Sequence, residues 1–326
     1  MKYQSKDLGQ FPYQIKYATE HYTSPGIDIY DFDNIILCGL GGSGIAGRII
    51  KSYFFSISAL PVEVISDYLL PKYAGSKTLA IMCSYSGNTE ETLAMYAEAK
   101  AAGAGIIVIA TGGKLAELAA ADGYTFYKAL SGFQPRMALG YSLTYLMLLF
   151  SELFGKANTS AELNAAATKL EDEAHYLQKG KALLDLIDKP LPAKFVVVSD
   201  YFTNPIGLRF CQQLQENAKT EAFLHELPEC NHNVIETYYG KLDSVFIFLN
   251  SHIQPRTTLR FGFLKEVLEN EGNKVMEISV DPSGILPVLE SIYTLDWLSL
   301  LIADYKEVNS IQIKNINALK EFLGKN

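Results

Sequence analysis

Cys83-Ser84-Tyr85-Ser86-Gly87-Asn88-Thr89-Glu90-Glu91-Thr92-Leu93 is the stretch on which the reading of this chain turns. Ahead of it, Thr78 to Cys83 is a short apolar run of the kind used by buried parallel strands. Behind it, Thr89 to Lys100 is rich in helix-forming Glu, Ala, Leu and Met. Where a strand turns through a short loop into a helix, the first helical N–H groups lack partners and lie under the positive end of the helix dipole. Such a loop suits an anion, with Ser84, Ser86 and Thr89 as hydroxyl donors and Gly87 for a close backbone turn. The same residue types also make ordinary turns and N-caps, so the loop alone does not decide between the two.

Working outward, Asn34 to Cys38 is a second strand, running into Gly39-Leu40-Gly41-Gly42-Ser43-Gly44-Ile45-Ala46-Gly47 and a helix through Lys51. Further strands are expected at Val62 to Ile65 and Gly105 to Ala110, with a weaker one near Tyr124 to Tyr127. Strands alternating with helices imply a parallel sheet covered on both faces, with ligands at the carboxyl ends of the strands. Met137 to Phe154 reads as a buried helix, polar Lys156 to Thr159 as a boundary, and Ala161 to Asp188 as helical, stopped by Lys189-Pro190-Leu191-Pro192. Alternation then restarts. Strands are expected at Lys194 to Asp200, Ser244 to Asn250 and Lys274 to Val280, and helices at Asn204 to Ala218, Thr257 to Asn270 and Gly284 to Tyr305. The fold class is therefore α/β, with two doubly wound domains of mainly parallel sheet flanked by helices, 1–155 and 156–326. The second lacks the glycine- and hydroxyl-rich loops of the first.

Composition narrows the function. The 326 residues are 48% hydrophobic and 20% charged, which fits a folded chain, and a net charge of −8 argues against nucleic acid as a partner. Met1 to Asp7 has no apolar core of a signal peptide, and the apolar windows 138–150 and 284–305 are too short or too charged to read as membrane spans; a cytoplasmic protein is expected. Cys38, Cys83, Cys211 and Cys230 form no C-x-x-C pair and read as reduced thiols.

Gly39, Gly41 and Gly44 satisfy G-x-G-x-x-G, with Asp67 where a dinucleotide fold keeps its ribose-binding acid, so an NAD-dependent dehydrogenase is a rival reading. Two loops at neighbouring strand ends, one offering Ser43 and glycine N–H groups and the other three hydroxyls, converge more naturally on a compact phosphorylated ligand. His225 to Asn233 gathers histidines, acids and a thiol, but Pro228 breaks the helical register a ligand pair needs, and no metal is expected. His232 is a candidate proton carrier or a solvated loop histidine. Arg136 reads as a site residue or as a cation that caps a helix or pairs with an acid, and Glu216 as a site residue or an exposed helical carboxylate.

Taken together, Gly39 to Gly47, Ser84 to Thr92, Pro135-Arg136 with Ala138-Leu139-Gly140-Tyr141, Glu216-Asn217-Ala218-Lys219 and Glu229-Cys230-Asn231-His232-Asn233 resemble, in this order, the bifunctional phosphoglucose/phosphomannose isomerases. The resemblance spans nearly the whole chain and implies two sugar-isomerase (SIS) domains, a homodimer, no cofactor and a phosphorylated hexose substrate. It implies that Gly41, Gly42 and Ser43 border the sugar, and that Ser84, Ser86 and Thr89 hold the 6-phosphate. Glu216 would move a proton between C1 and C2, Arg136 would steady the enediolate, His232 from the partner subunit would assist ring opening, and Lys320 would reach the sugar. Two departures stand out. Asn309-Ser310-Ile311-Gln312 lies where the family carries Asp-Pro-x-Pro, and Cys230 and Val234 replace the more usual Leu and Glu. A non-catalytic phosphosugar-binding regulator is the alternative of a different class.

Overall fold

The computed structural model describes residues 5–325; Met1 to Gln4 and Asn326, including part of the N-terminal stretch read above, lie outside the described residues. The first sheet holds β1 (Asn34–Cys38), β2 (Val62–Ile65), β3 (Thr78–Cys83), β4 (Gly105–Ala110) and β5 (Thr125–Lys128), in the order β2-β1-β3-β4-β5. The second holds β6 (Lys194–Ser199), β7 (Glu221–Glu226), β8 (Ser244–Asn250) and β9 (Val275–Ser279), in the order β7-β6-β8-β9. Every pairing is parallel. Each sheet starts from an inner strand and reverses its winding there, so two carboxyl-end loops flank each switch point, where open α/β sheets take ligands.

Alternate strand residues serve opposite faces. Ile35, Leu37, Leu79 and Ile81 point into the same core as Phe195, Val197, Ile247 and Leu249 of the second sheet. Between the sheets, that core is filled by Ile15, Ile49, Leu146, Phe150, Leu163, Phe210, Val288 and Trp297, contributed by helices from both halves. On the outer faces, Ile36, Ala80 and Met82 pack with Met95 and Leu115, while Val196, Phe246 and Phe248 pack with Phe261 and Leu264. The two halves thus share one interior.

Three elements differ from the sequence expectation. Ala161 to Asp188 is two helices, Thr159–Leu170 and Glu173–Leu186, because Asp172 caps the second by accepting from the His175 N–H at 3.2 Å. β7 went unread: it is an edge strand with exposed Glu221 and Phe223, lacking the unbroken apolar run of its neighbours. The helix Phe11–His21 also went unread, although its buried Gln14 accepts from Gly140 N–H at 3.0 Å and donates to Met137 O at 2.7 Å, tying the N-terminus to the site-bearing turn.

Helix Ile285–Tyr305 is long and apolar enough to cross a membrane by length and composition, contrary to the reading of that window, yet 72% of the qualifying window is buried within the protein. Its Asp296 is paired inside the core with Arg209 at 2.6 Å. It is a core helix.

Candidate active site

At the carboxyl end of β3, Ser84 is buried and its hydroxyl lies 2.8 Å from that of Thr89, while the Gly87 N–H donates to Ser84 Oγ at 3.2 Å. Ser86 is exposed and accepts from the Asn88 N–H at 3.2 Å. Thr89 stands at the N-cap of helix Glu90–Ala101 without capping it, so the helix's first N–H groups are not taken by that side chain. The loop rests on a second turn that sequence reading left unnamed. A Cβ on Gly87, whose φ is +71°, would lie 1.8 Å from Gly112 O, and Asn88 Oδ1 accepts from the Lys114 N–H at 2.9 Å. The loop is therefore held rigidly before any ligand arrives.

The loop after β1 meets it directly: the Tyr85 N–H donates to Ser43 Oγ at 3.1 Å. Gly41 and Gly42 open helix Gly41–Tyr53. Gly42 is needed for close approach, because a Cβ there would sit 2.9 Å from Pro135 O and 3.4 Å from Arg136 Cα. The loops after β1 and β3 and the Pro135–Met137 turn are thus contiguous.

Arg136 is 4% exposed and reaches across to the second half. Its Nε donates to Asn217 Oδ1 at 2.8 Å, Nη1 to Glu216 Oε2 at 3.1 Å and to Gln134 Oε1 at 3.5 Å, and Nη2 to Ser310 O at 2.6 Å. Among the described residues, these four contacts leave one of the guanidinium's five N–H groups uncommitted. Burial pushes its pKa down, and the Glu216 carboxylate opposes that shift. Glu216 is more open than its partner, its side chain 31% exposed, so a carboxylate held by a fixed cation faces accessible space. Beside the pair, an open depression of about 510 Å³ is lined by Gln134, Gln312, Ile313, Lys314 and Asn317.

Lys219 also belongs here. It follows helix Asn204–Ala218 in the left-handed conformation, and its Nζ donates to the carbonyls of Glu216 and, at 2.7 Å, Gln312. Burial and the charge of Arg136 lower its pKa. The 309–312 segment, flagged above as atypical, is therefore part of the site wall. Its turn is set by Asn309 Oδ1, which accepts from the Ile311 N–H at 2.9 Å, where the family pattern would use proline.

The remaining candidates stand apart within one chain. His232 ends the 3-10 turn Glu229–His232, is exposed, and makes no hydrogen bond among the described residues. Lys320 is exposed on helix Lys314–Leu323 and likewise unpaired among them. Asp67, the candidate ribose acid, is exposed and accepts from the Tyr68 N–H at 2.6 Å. No group of three or more His, Cys, Asp or Glu able to hold a metal ion occurs among the described residues. Sequence reasoning missed Asn217, Lys219 and Gln134 as partners, although the first two lie in the motif that carries Glu216. A second depression, of about 460 Å³, lined by Leu186, Lys241, Phe246, Lys274 and Met276, lies at the amino ends of β8 and β9.

Comparison with known proteins accords with this geometry. The description "SIS domain" matches residues 28–151, and "Bacterial phospho-glucose isomerase C-terminal SIS domain" matches residues 189–323. A bifunctional phosphoglucose/phosphomannose isomerase of Caldicellulosiruptor bescii is 34% identical over 330 residues, covering 96% of each chain. A D-glucosamine-6-phosphate 4-epimerase of Sulfolobus acidocaldarius is 36% identical over 217 residues, 66% of this chain and 67% of that one. Among solved structures, a glucosamine-6-phosphate deaminase of Thermotoga maritima shares the fold at a TM-score of 0.69 and 15% identity, covering 94% of this chain and 95% of that one.

Proposed function

The chain belongs to the bifunctional phosphoglucose/phosphomannose isomerase family and is a phosphosugar isomerase; from that premise we propose that it interconverts glucose 6-phosphate, and also mannose 6-phosphate, with fructose 6-phosphate. The observation that carries the reading is the Arg136–Glu216 pair at 3.1 Å, set beside hydroxyl loops suited to a phosphate.

In this reading, residues 1–155 hold the substrate and 156–326 carry most of the chemistry. Ser84, Ser86 and Thr89 with the helix N-terminus bind the 6-phosphate, and Gly41, Gly42 and Ser43 border the sugar. Phosphate binding remote from the reacting carbons supplies orientation. Glu216 takes the C2 proton of the open-chain aldose. Negative charge then develops on the oxygens of the enediolate, where the fixed Arg136 cation stabilises it. The hydroxyl proton passes from O2 to O1, and Glu216 returns its proton to C1, giving the ketose. Only protons move, so the chemistry calls on no redox cofactor.

His232 and Lys320, exposed and without a side-chain hydrogen bond among the described residues, fit roles in a homodimer. There His232 would reach the partner's sugar to assist ring opening, and Lys320 would contact the sugar. Support for a dimer comes from Ile316, Leu319 and Leu323, which leave an apolar stripe exposed on the terminal helix. A cytoplasmic enzyme of glycolytic sugar-phosphate metabolism is the setting that fits.

Glu216→Gln is expected to lower kcat about a hundredfold to ten-thousandfold, with fructose 6-phosphate still bound. A coupled assay and calorimetry check it, and full activity in the variant would sink the assignment. D-glucosamine 6-phosphate belongs in the same assay, because the epimerase relative makes 4-epimerisation the second reading.

A further inference from the structure

Arg136 is gripped at both ends by one buried ring of hydrogen bonds. At its main chain, Arg209 Nη2 donates to Arg136 O at 3.0 Å. Arg209 is held in turn by Asp296, which takes Nη2 at 2.6 Å and Nε at 3.1 Å. The Asp296 main-chain carbonyl accepts from Ser299 Oγ at 2.7 Å, and Ser299 Oγ accepts from Asn217 Nδ2 at 2.9 Å. Asn217 Oδ1 then closes the ring by accepting from Arg136 Nε at 2.8 Å. The side chains of all five residues are at most 4% exposed.

We propose that Asp296, Arg209, Ser299 and Asn217 are positioning residues for the isomerase reaction, fixing the Arg136 guanidinium where the enediolate forms. The proposal rests on the function assigned above. A guanidinium on a flexible stem has many rotamers, whereas a transition-state cation must be placed before charge develops. Two anchors, one on the main chain of Arg136 and one on its side chain, do that. The Arg209 bond sets the backbone of the Pro135–Met137 turn, and the Asn217 bond sets the rotation of the guanidinium plane. Helix Ile285–Tyr305 carries both Asp296 and Ser299, one turn apart, so a single rigid element controls both anchors. Glu216 needs no anchor of its own, since it is adjacent to Asn217 and is held by the cation that the ring has placed.

The blander account makes the ring cement for the shared core. The two accounts differ in what happens once Arg136 is gone. Ser299→Ala opens the ring at its mildest point, and Asp296→Asn weakens the Arg209 grip while keeping the side-chain shape. Each is expected to lower kcat about tenfold to a hundredfold, as a small misplacement of a catalytic group does, with the KM for fructose 6-phosphate unchanged. In an Arg136→Met background, whose residual turnover is measured with enzyme in excess, Ser299→Ala should lower kcat no further. Arg209→Lys should recover part of the kcat lost in Arg209→Met. A kcat loss that multiplies independently of Arg136, or a Ser299→Ala variant with wild-type kcat, overturns the proposal.

A readout free of turnover separates this from failure of the functional reading. The Arg136 Nε–H resonance, assigned by its loss in Arg136→Lys, should exchange with solvent at least tenfold faster in Ser299→Ala. Unchanged exchange overturns the ring even if the sugar specificity has been misassigned. Accelerated exchange in a protein inactive on every hexose phosphate supports the ring and rejects the assigned reaction.

Discussion

After β1 and β3 the chain presents Gly39 to Ser43 and Ser84 to Thr89; after the matching β6 and β8 it presents Asp200 to Asn204 and Ser251 to Gln254. The pairings set the equivalence residue by residue. Inward-facing Leu37 pairs with Ile81 and inward-facing Val197 with Ile247, so Gly39 corresponds to Ser199, Leu40 to Asp200, Ser43 to Thr203 and Tyr85 to Ser251. In the first sheet, the loops are joined through a neutral hydroxyl, Ser43 Oγ, which accepts from the Tyr85 N–H at 3.1 Å. In the second, a carboxylate takes the matching donor: Asp200 accepts from the Ser251 N–H at 2.7 Å, the Ser251 hydroxyl at 2.6 Å and the Thr203 N–H at 2.9 Å. An N-cap role would explain the Thr203 bond, but not the two from another strand's loop. The same topology thus joins its loops through a neutral hydroxyl in one half and through a buried carboxylate in the other.

That contrast can be broken or sharpened by substitution. The largest effect is expected from Ser84→Ala with Thr89→Val, because hydrogen bonds to a charged group contribute about 1.5–3 kcal/mol each. The KM for fructose 6-phosphate should rise at least about tenfold with kcat within a few-fold, and a kcat collapse in steady-state assays would show that the halves do not divide binding from chemistry. Next comes Asp200→Ala, which leaves the buried Ser251 and Thr203 donors without an acceptor. A stability loss of about 1–3 kcal/mol in urea titration is expected, with KM unchanged, and a raised KM would mean that this end also touches substrate. The smallest effect concerns pH. The strands of the first sheet carry no histidine, whereas His225 on β7 has its pKa pushed below 6.5 by burial. The unfolded chain then binds this proton more readily, so stability drops as pH falls from 6.5 through the lower folded value. His225→Gln should flatten that part of the thermal midpoint profile, while an unchanged slope would assign it elsewhere.

Legibility followed locality. β1, β3, β6 and β8 are inner strands buried on both faces, and they show in sequence as unbroken apolar runs. The loops after β1 and β3 show because their glycines and hydroxyls are dense and contiguous. β7 hid because an edge strand mixes Glu, Ala, Phe, Leu and His, and the break at Asp172 hid because a capping carboxylate inside a helical pattern looks like any other surface acid. The setting of Arg136 was illegible for a different reason. The groups that hold it lie between 73 and 174 residues away, apart from Gln134, and nothing in local composition reports such pairings. His232 and Lys320 drew their roles from resemblance, and a single chain brings neither to the Arg136–Glu216 pair.

The strap at 309–312 shows how a site can drift without being lost. Arg136 and Lys219 seize it by the carbonyls of Ser310 and Gln312, and every amino acid supplies a carbonyl. Its lettering is therefore free to diverge between lineages while its grip on the site persists, so an alignment scored on side-chain identity undercounts this wall. New side chains can be tried at this strap without removing the carbonyls that Arg136 and Lys219 hold, which makes it a place to test for a change in sugar preference.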